Sequence, residues 1–224
     1  MAQVLLGQSY YLRLDPKLWR AQQPYPPLGT LYAAAYLRQH GHTVALFDAM
    51  LAESPAAWEA ALDQHKPRYA VLFEDNFNYL SKMSLLRMRD AAFAMIRAAK
   101  TRGTIVIVSG ADMTDHPDKY LAQGADYALI GEGEETLADL LAALEAGDSP
   151  DGVNGLAYVR DGQTFHTAPR AVLRDLDAIP FPAWDMLDAE PYRRIWQAAH
   201  GYFSVNMVTT RGCPFHCNWC AKPI

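Results

Sequence analysis

The chain has 224 residues, half of them hydrophobic and 20% charged, with a formal net charge of −5. Such a composition is typical of a globular protein with a sizeable core, and it excludes collagen-like and wholly disordered chains. The acidic balance offers no basic surface for a phosphate backbone, and no apolar run approaches the roughly 20 residues of a membrane span, so we expect neither a nucleic-acid partner nor a membrane span. The uncharged stretch before residue 8 is too short for a secretory signal, which predicts a cytoplasmic protein.

Apolar, strand-like runs alternate with amphipathic helical stretches from Val4 to Gly147. This alternation predicts an α/β fold, a doubly wound, five-stranded parallel sheet of flavodoxin-like (Rossmann-like) order. A long loop over 8–27 follows the first strand, where prolines oppose a helix. The predicted strands are 4–7, 43–48, 69–73, 104–108 and 127–130, and the predicted helices are 28–40, 55–64, 82–101 and a last one ending near Gly147.

The composition changes after Gly147. A turn-rich stretch precedes two short strand-like runs that flank Asp161 and Gly162, a dipeptide typical of a two-residue hairpin. A short helix over 192–199 and one more strand over 204–209 are expected further on. We therefore predict a domain over 1–147, a hairpin and linker over 148–203, and the start of a second domain over 204–224.

The three cysteines of the chain, Cys213, Cys217 and Cys220, follow the last predicted strand with the spacing C-x3-C-x2-C. An odd number in one cluster is a poor basis for disulfides, so metal binding is favoured. Three thiolates from one loop can hold three irons of a cubane cluster and leave the fourth iron open. A structural zinc site with His216 or a distant residue as fourth ligand is the alternative, and free thiols are another.

This spacing, with Trp219 before the last cysteine, resembles the signature of the radical S-adenosylmethionine (SAM) superfamily. The resemblance implies that Cys213, Cys217 and Cys220 ligate a 4Fe-4S cluster and that SAM chelates its fourth iron. One electron from the cluster would then cleave SAM to a 5′-deoxyadenosyl radical that abstracts hydrogen from the substrate. By the same resemblance, Trp219 lies near the adenine of SAM.

Three further segments are similar to the cobalamin-binding subclass of this superfamily, which includes the anaerobic magnesium-protoporphyrin monomethyl ester cyclase and many methylases. They are Pro26-Pro27-Leu28-Gly29, Gly131-Glu132-Gly133-Glu134-Glu135-Thr136 and Ile179-Pro180-Phe181-Pro182. The resemblance implies an N-terminal cobalamin-binding domain, a linker and then a partial barrel.

Ligands of open α/β sheets bind outside the carboxyl ends of the strands. The candidate cobalamin contacts are therefore the residues that follow the first, third, fourth and fifth predicted strands: Gln8, Ser9, Tyr10, Asp75, Asn76, Asn78, Ser109, Gly110, Gly131, Glu132 and Gly133. The alternative for the glycines is that they only shape strand-to-helix turns, and the 75–78 segment could equally be a surface loop. The D-x-H-x2-G box of histidine-ligated cobalamin domains is absent, so we expect a base-off cofactor without a histidine ligand.

These observations predict the N-terminal part of a cobalamin-dependent radical SAM enzyme that methylates an unactivated carbon or performs a related radical cyclisation. Its expected partners are a small-molecule substrate and an external one-electron reductant. Only four residues follow Cys220, whereas a barrel needs about 200 residues, so the chain is expected to be a fragment that is inactive alone. The alternatives are a corrinoid-binding module without catalysis and a non-corrinoid flavodoxin-like domain fused to a radical SAM enzyme.

Overall fold

The computed structural model of the chain describes residues 3–74 and 85–211. Within these residues, seven strands form one sheet in the order β2-β1-β3-β4-β5-β6-β7. The first five strands pair in parallel, and the last two are antiparallel. The strands are β1 (Val4–Gly7), β2 (Val44–Phe47), β3 (Tyr69–Phe73), β4 (Ile105–Ser109), β5 (Tyr127–Leu129), β6 (Leu156–Arg160) and β7 (Gln163–His166).

Helices cover both faces of this sheet. They are α1 (Pro16–Ala21), α2 (Leu28–Gln39), α3 (Ala56–His65), α4 (Leu85–Lys100), α5 (Ala111–Asp115), α6 (Pro117–Leu121), α7 (Glu134–Ala146) and α8 (Glu190–His200). Successive strand side chains point to opposite faces, so Leu6 packs on the side of α2 and α7, whereas Leu5 packs on the side of α3 and α4. The parallel part of the sheet therefore has the flavodoxin-like order 2-1-3-4-5 and confirms the predicted fold class.

The hairpin of β6 and β7 extends the sheet, a position that the sequence did not predict. Asp161 and Gly162 have φ values of 51° and 77°, as a two-residue hairpin turn requires. Ala128 and Leu129 of β5 pair with Ala157 and Leu156 of β6. The sheet thus continues past residue 147, while the domain limits proposed from the sequence stay a prediction.

The connection after β1 contains a helix where the prolines led us to expect none. Asp15 caps α1, because its carboxylate accepts hydrogen bonds from the backbone of Lys17 and Leu18, and Pro16 occupies the first helical position. Leu18 packs in a third apolar cluster together with Tyr10 and Tyr192, a residue of α8. Helix α8 therefore lies beside the carboxyl end of β1.

The strand predicted over 204–209 is wrong, because these residues form no regular secondary structure. A strand requires a partner for its backbone groups, and in the described part of the chain this segment pairs with no strand. A hydrogen bond of 3.2 Å from Asn206 Nδ2 to the carbonyl of Pro26 ties the segment to the start of α2. The segment after β4 also differs from the prediction, since it holds the two short helices α5 and α6.

Candidate functional site

The residues that follow β1 are buried and bonded to the protein itself. Gln8, Ser9 and Tyr10 are at most 3% exposed. The Gln8 side chain accepts a hydrogen bond from the Tyr10 amide and lies 3.5 Å from Asp48 Oδ1. The Tyr10 hydroxyl donates to Asp15 Oδ2 at 3.1 Å, and burial together with this carboxylate raises the pKa of Tyr10, so the phenol is neutral. These three predicted contacts therefore form a packed region at the carboxyl edge of the sheet, next to β1. We call this edge, where the strands end, the edge of the sheet.

Asp48 follows β2 and connects the edge to α8. Its Oδ2 accepts a hydrogen bond of 2.5 Å from the Tyr192 hydroxyl, and its Oδ1 accepts one of 3.0 Å from the Met50 amide. Burial raises the pKa of Asp48, and these hydrogen bonds, which favour the carboxylate, oppose that rise. The polar network at this corner thus fixes the position of α8 relative to β1 and β2.

Glu74 follows β3 and joins three strand ends. Its carboxylate accepts a hydrogen bond of 2.9 Å from the Ser9 amide, and its own amide donates to the carbonyl of Ser109 at 2.9 Å. A Cβ atom built on Gly110 would lie 2.9 Å from the Cβ of Glu74. Because this distance is too short for two carbon atoms, Gly110 is required for the close approach of the loops after β3 and β4.

The loop between β5 and α7 contains two glycines with different surroundings. A Cβ on Gly133 would lie 2.5 Å from Ser109 Oγ and 2.7 Å from the Phe73 ring, so this glycine serves packing against β3 and β4. Gly131 has a φ of 82°, is exposed, and has no heavy atom within 4 Å of its Cβ position. The backbone at the end of β5 is thus open to a ligand at Gly131.

Glutamates of the same loop bind other segments of the chain. Glu132 Oε2 accepts a hydrogen bond of 2.7 Å from the Leu173 amide. Glu134, in the first turn of α7, accepts two hydrogen bonds from the Arg211 guanidinium. The carboxylate of Glu132, a predicted cobalamin contact, is therefore hydrogen-bonded to the linker in the structure.

Several predicted site residues lie outside the described residues, and their roles stay predictions. These are Asp75, Asn76, Asn78, Cys213, Cys217, Trp219 and Cys220. Within residues 3–74 and 85–211, no group of three or more His, Cys, Asp or Glu side chains is arranged to hold a metal ion. In that same part of the chain, no helix has the length and apolar character needed to cross a bilayer.

Sequence reasoning missed Asp48 and Arg211 and did not give Glu74 a role. Asp48 and Glu74 are the first acidic residues after apolar strands, and this position alone places a carboxylate at the ligand-binding edge. Arg211 gave no such signal, because its partner Glu134 is 77 residues away in the sequence.

The described edge has one side of small residues and one side of packed, buried side chains. Small residues, Ser109, Gly110, Gly131 and Gly133, form its β4 and β5 side, and Gly131 leaves open space above the chain. The β1 side is a packed wall of Gln8, Ser9 and Tyr10. A corrinoid tail that contacts backbone rather than long side chains suits this arrangement.

Comparison with known proteins identifies related chains. Residues 19–141 match the model of the B12 binding domain. The chain is 28% identical over 201 residues to an uncharacterized methyltransferase of Pyrococcus horikoshii and 27% identical over 202 residues to the anaerobic magnesium-protoporphyrin IX monomethyl ester cyclase of Synechocystis sp.. These alignments cover 89% and 88% of this chain but 41% and 38% of the relatives, so the chain spans about two fifths of their length.

Two solved structures have the same fold. The cobalamin-dependent SAM radical enzyme OxsB with aqua-cobalamin bound matches 83% of this chain and 24% of its own, with a TM-score of 0.64 and 22% identity. The radical SAM methyltransferase TsrM from Kitasatospora setae, with cobalamin and a [4Fe-4S] cluster bound, matches 78% of this chain and 30% of its own, with a TM-score of 0.61 and 17% identity. The resemblance stated from the sequence is confirmed, and since the B12 binding model covers more than half of the chain, the chain belongs to the B12-binding domain family.

Proposed function

We propose that this chain is the cobalamin-binding portion of a cobalamin-dependent radical SAM enzyme that methylates an unactivated carbon of a small molecule. The observation that carries the proposal is the family match over residues 19–141, which is followed in the same chain by the C-x3-C-x2-C motif. When bound, cobalamin would supply a methyl group, and the cluster with SAM would supply a 5′-deoxyadenosyl radical.

The residues proposed to hold cobalamin are those of the sheet edge. Gly131 offers an open backbone, and Ser109, Gly110 and Gly133 keep neighbouring loops close enough to form one surface. Gln8, Ser9 and Tyr10 would bound this surface on the β1 side, and Asp75, Asn76 and Asn78 would complete it after β3. The match to the B12 binding domain supports a corrinoid ligand and argues against a non-corrinoid flavodoxin-like domain.

The proposed cluster ligands are Cys213, Cys217 and Cys220, with Trp219 near SAM. Three thiolates suit a 4Fe-4S cluster with one open iron. TsrM, which shares the fold, holds a [4Fe-4S] cluster together with cobalamin, which supports the choice of iron over zinc. Reductive cleavage of SAM consumes one electron, so we also propose an external one-electron reductant as a partner. A cytoplasmic location belongs to the same proposal.

The proposal is tested by product analysis on the full-length protein under anaerobic conditions. With reductant, SAM and methylcobalamin, the wild type should release 5′-deoxyadenosine. Cys213→Ala should lose the absorption of the cluster and the release of deoxyadenosine while it keeps the circular dichroism of the α/β domain, because the two described core clusters on the faces of the sheet are built from residues that precede 187. Cobalamin binding without deoxyadenosine from the wild type would instead support a corrinoid-binding module without catalysis.

Radical cyclisation is the second candidate function. The observation that favours it is the alignment with the cyclase of Synechocystis sp. over 88% of this chain. The two candidates differ in the fate of the methyl group on cobalamin. Methylation transfers one methyl group to each product molecule, whereas cyclisation leaves methylcobalamin unchanged. Mass spectrometry of the product with a deuterated methyl group on cobalamin separates them.

A further inference from the structure

The first turn of α7 and the last described residue of the chain form an ion pair that is largely shielded from solvent. Arg211 Nη1 lies 3.1 Å from Glu134 Oε2, and Arg211 Nη2 lies 2.5 Å from Glu134 Oε1. The side chains are 14% and 7% exposed. Two parallel N–H···O bonds match the fork of a guanidinium to both oxygens of a carboxylate, which fixes orientation as well as distance.

Two more groups lie near the guanidinium of Arg211. Glu132 Oε1 lies 3.9 Å from Arg211 Nη1. The ring of Tyr32, on the neighbouring helix α2, has its centroid 5.8 Å from Arg211 Cζ. Arg211 therefore lies near both the first turn of α7 and Tyr32 of α2, the two helices that cover one face of the sheet.

The cost of burying charges indicates what the pair is for. Removing two ions from water costs about as much as their attraction returns, so such a pair adds little net stability compared with apolar residues of the same size. What a fork-shaped pair does provide is a defined geometry, and fixing a register is the best attested use of buried polar pairs. The pair is thus suited to positioning.

The position of the ion pair in the chain indicates which two segments it connects. Arg211 precedes Cys213 by two residues, so their Cα atoms are at most about 7 Å apart. Glu134 follows Gly131, the open backbone at the cobalamin edge, by three residues. The pair therefore links the root of the cysteine motif to the loop that borders the candidate cobalamin site.

We infer that Glu134 and Arg211 form a latch that positions the cysteine motif relative to the cobalamin edge. Glu134 is then a positioning residue, which acts through Arg211 and contacts neither cofactor. The inference rests on the proposed function in one respect, namely that the three cysteines carry a cluster. It gives a role to Glu134, which is not among the cobalamin contacts predicted from the sequence.

Hydrogen–deuterium exchange of the segment over 203–211 tests the latch without any cofactor. Glu134→Gln and Arg211→Gln should each accelerate exchange of this segment by about tenfold, and the double variant should be no faster than either single variant, because both remove one interaction. Arg211→Lys keeps the charge but loses the two-pronged guanidinium. Its exchange rate should lie between that of the wild type and that of Arg211→Gln. Circular dichroism should be unchanged in all of them.

Arg170→Gln is the matched control, because Arg170 binds Glu135 and Asp139 of the same helix but not Glu134. It should leave exchange over 203–211 unchanged. Unaltered exchange in the two single variants, additive effects in the double variant, or an equal acceleration in Arg170→Gln would overturn the latch.

A second readout uses the protein loaded with cobalamin and cluster. The wild type should show faster spin relaxation of cob(II)alamin when the cluster is reduced, and Glu134→Gln should weaken this effect while cluster content is unchanged. A wild type that assembles no cluster contradicts the proposed function and leaves the exchange result to decide the latch. A loaded wild type with unaltered relaxation and exchange in Glu134→Gln contradicts the latch alone.

Discussion

Gly133 shows how a single residue can be required at the site by packing. A methyl group at this position would meet Ser109 Oγ at 2.5 Å and the Phe73 ring at 2.7 Å. Both neighbours are buried strand residues with little freedom to move. The glycine is therefore a condition for the loops after β4 and β5 to lie side by side.

Gly133→Ala should destabilise the protein by about 1–3 kcal/mol, the usual effect of overpacking. Urea denaturation at pH 7 measures the change in the free energy of unfolding. Gly152→Ala serves as control, because Gly152 has no positive φ and no atom within 4 Å of its Cβ position, and it should change stability by less than about 0.5 kcal/mol. Equal effects of the two substitutions would refute the packing role of Gly133.

At the scale of elements, one part-buried carboxylate connects three helices. Arg89 of α4 donates from Nε to Asp112 Oδ2 at 2.7 Å and from Nη2 to Oδ1, and the Tyr120 hydroxyl of α6 donates to the same carboxylate on α5. Burial alone would raise the pKa of Asp112, but the hydrogen bonds from Arg89 and Tyr120 lower it below its ordinary value. The carboxylate is thus stabilised in the folded state.

Asp112→Asn should therefore cost about 3 kcal/mol at pH 7, because it leaves the part-buried Arg89 charge without its partner. Since the folded-state pKa is lowered, the contribution of Asp112 is present above its unfolded value near 4 and is lost as the pH falls through the folded value. The difference between variant and wild type should shrink when urea denaturation is repeated near pH 3. Asp90→Asn, on the exposed face of α4, should show less than about 0.5 kcal/mol at both pH values.

The elements that the sequence predicted well are those with local signals. The continuous apolar run of β4 and the Asp161-Gly162 turn determine their structures within a few residues, so both are confirmed. Helix α1 also had a local signal, Asp15 followed by Pro16, which the neighbouring prolines obscured. The strand expected over 204–209 failed because strand formation depends on a partner, and no local pattern shows whether one is present.

At the scale of the whole molecule, the strand order brings the predicted cobalamin contacts together, while their role in binding stays a prediction. The order 2-1-3-4-5 brings the ends of β1, β3, β4 and β5 to one edge, and the predicted contacts that are described, Gln8 to Tyr10, Ser109, Gly110 and Gly131 to Gly133, follow those strands. The sequence could not show which of these residues form hydrogen bonds with other parts of the chain. Glu132 binds Leu173, 41 residues away, and that pairing depends on how the linker folds back.

The contacts between the linker and the α/β domain also affect how the following residues are positioned. The Tyr192 hydroxyl of α8 donates to Asp48 after β2, and Arg211 is bound to Glu134 of α7, so the described chain is fixed to the α/β domain up to Arg211. The chain spans about two fifths of the relatives it matches. Because Tyr192 and Arg211 fix the linker to the α/β domain, we predict a fixed distance between the candidate cobalamin site and the cysteine motif.

The central claim is that the edge formed by β1, β3, β4 and β5 binds cobalamin, and a titration tests it most directly. Purified chain is titrated anaerobically with hydroxocobalamin, and the corrin absorption bands and the retained cobalamin are followed. We predict saturation at one cobalamin per chain with the spectrum of a base-off cofactor. Gly131→Trp should bind more weakly than Gly131→Ala, because both strain the backbone at a φ of 82° but only Trp fills the open space. Folded chain that retains no cobalamin, or that binds equally well with Gly131→Trp, would contradict the claim.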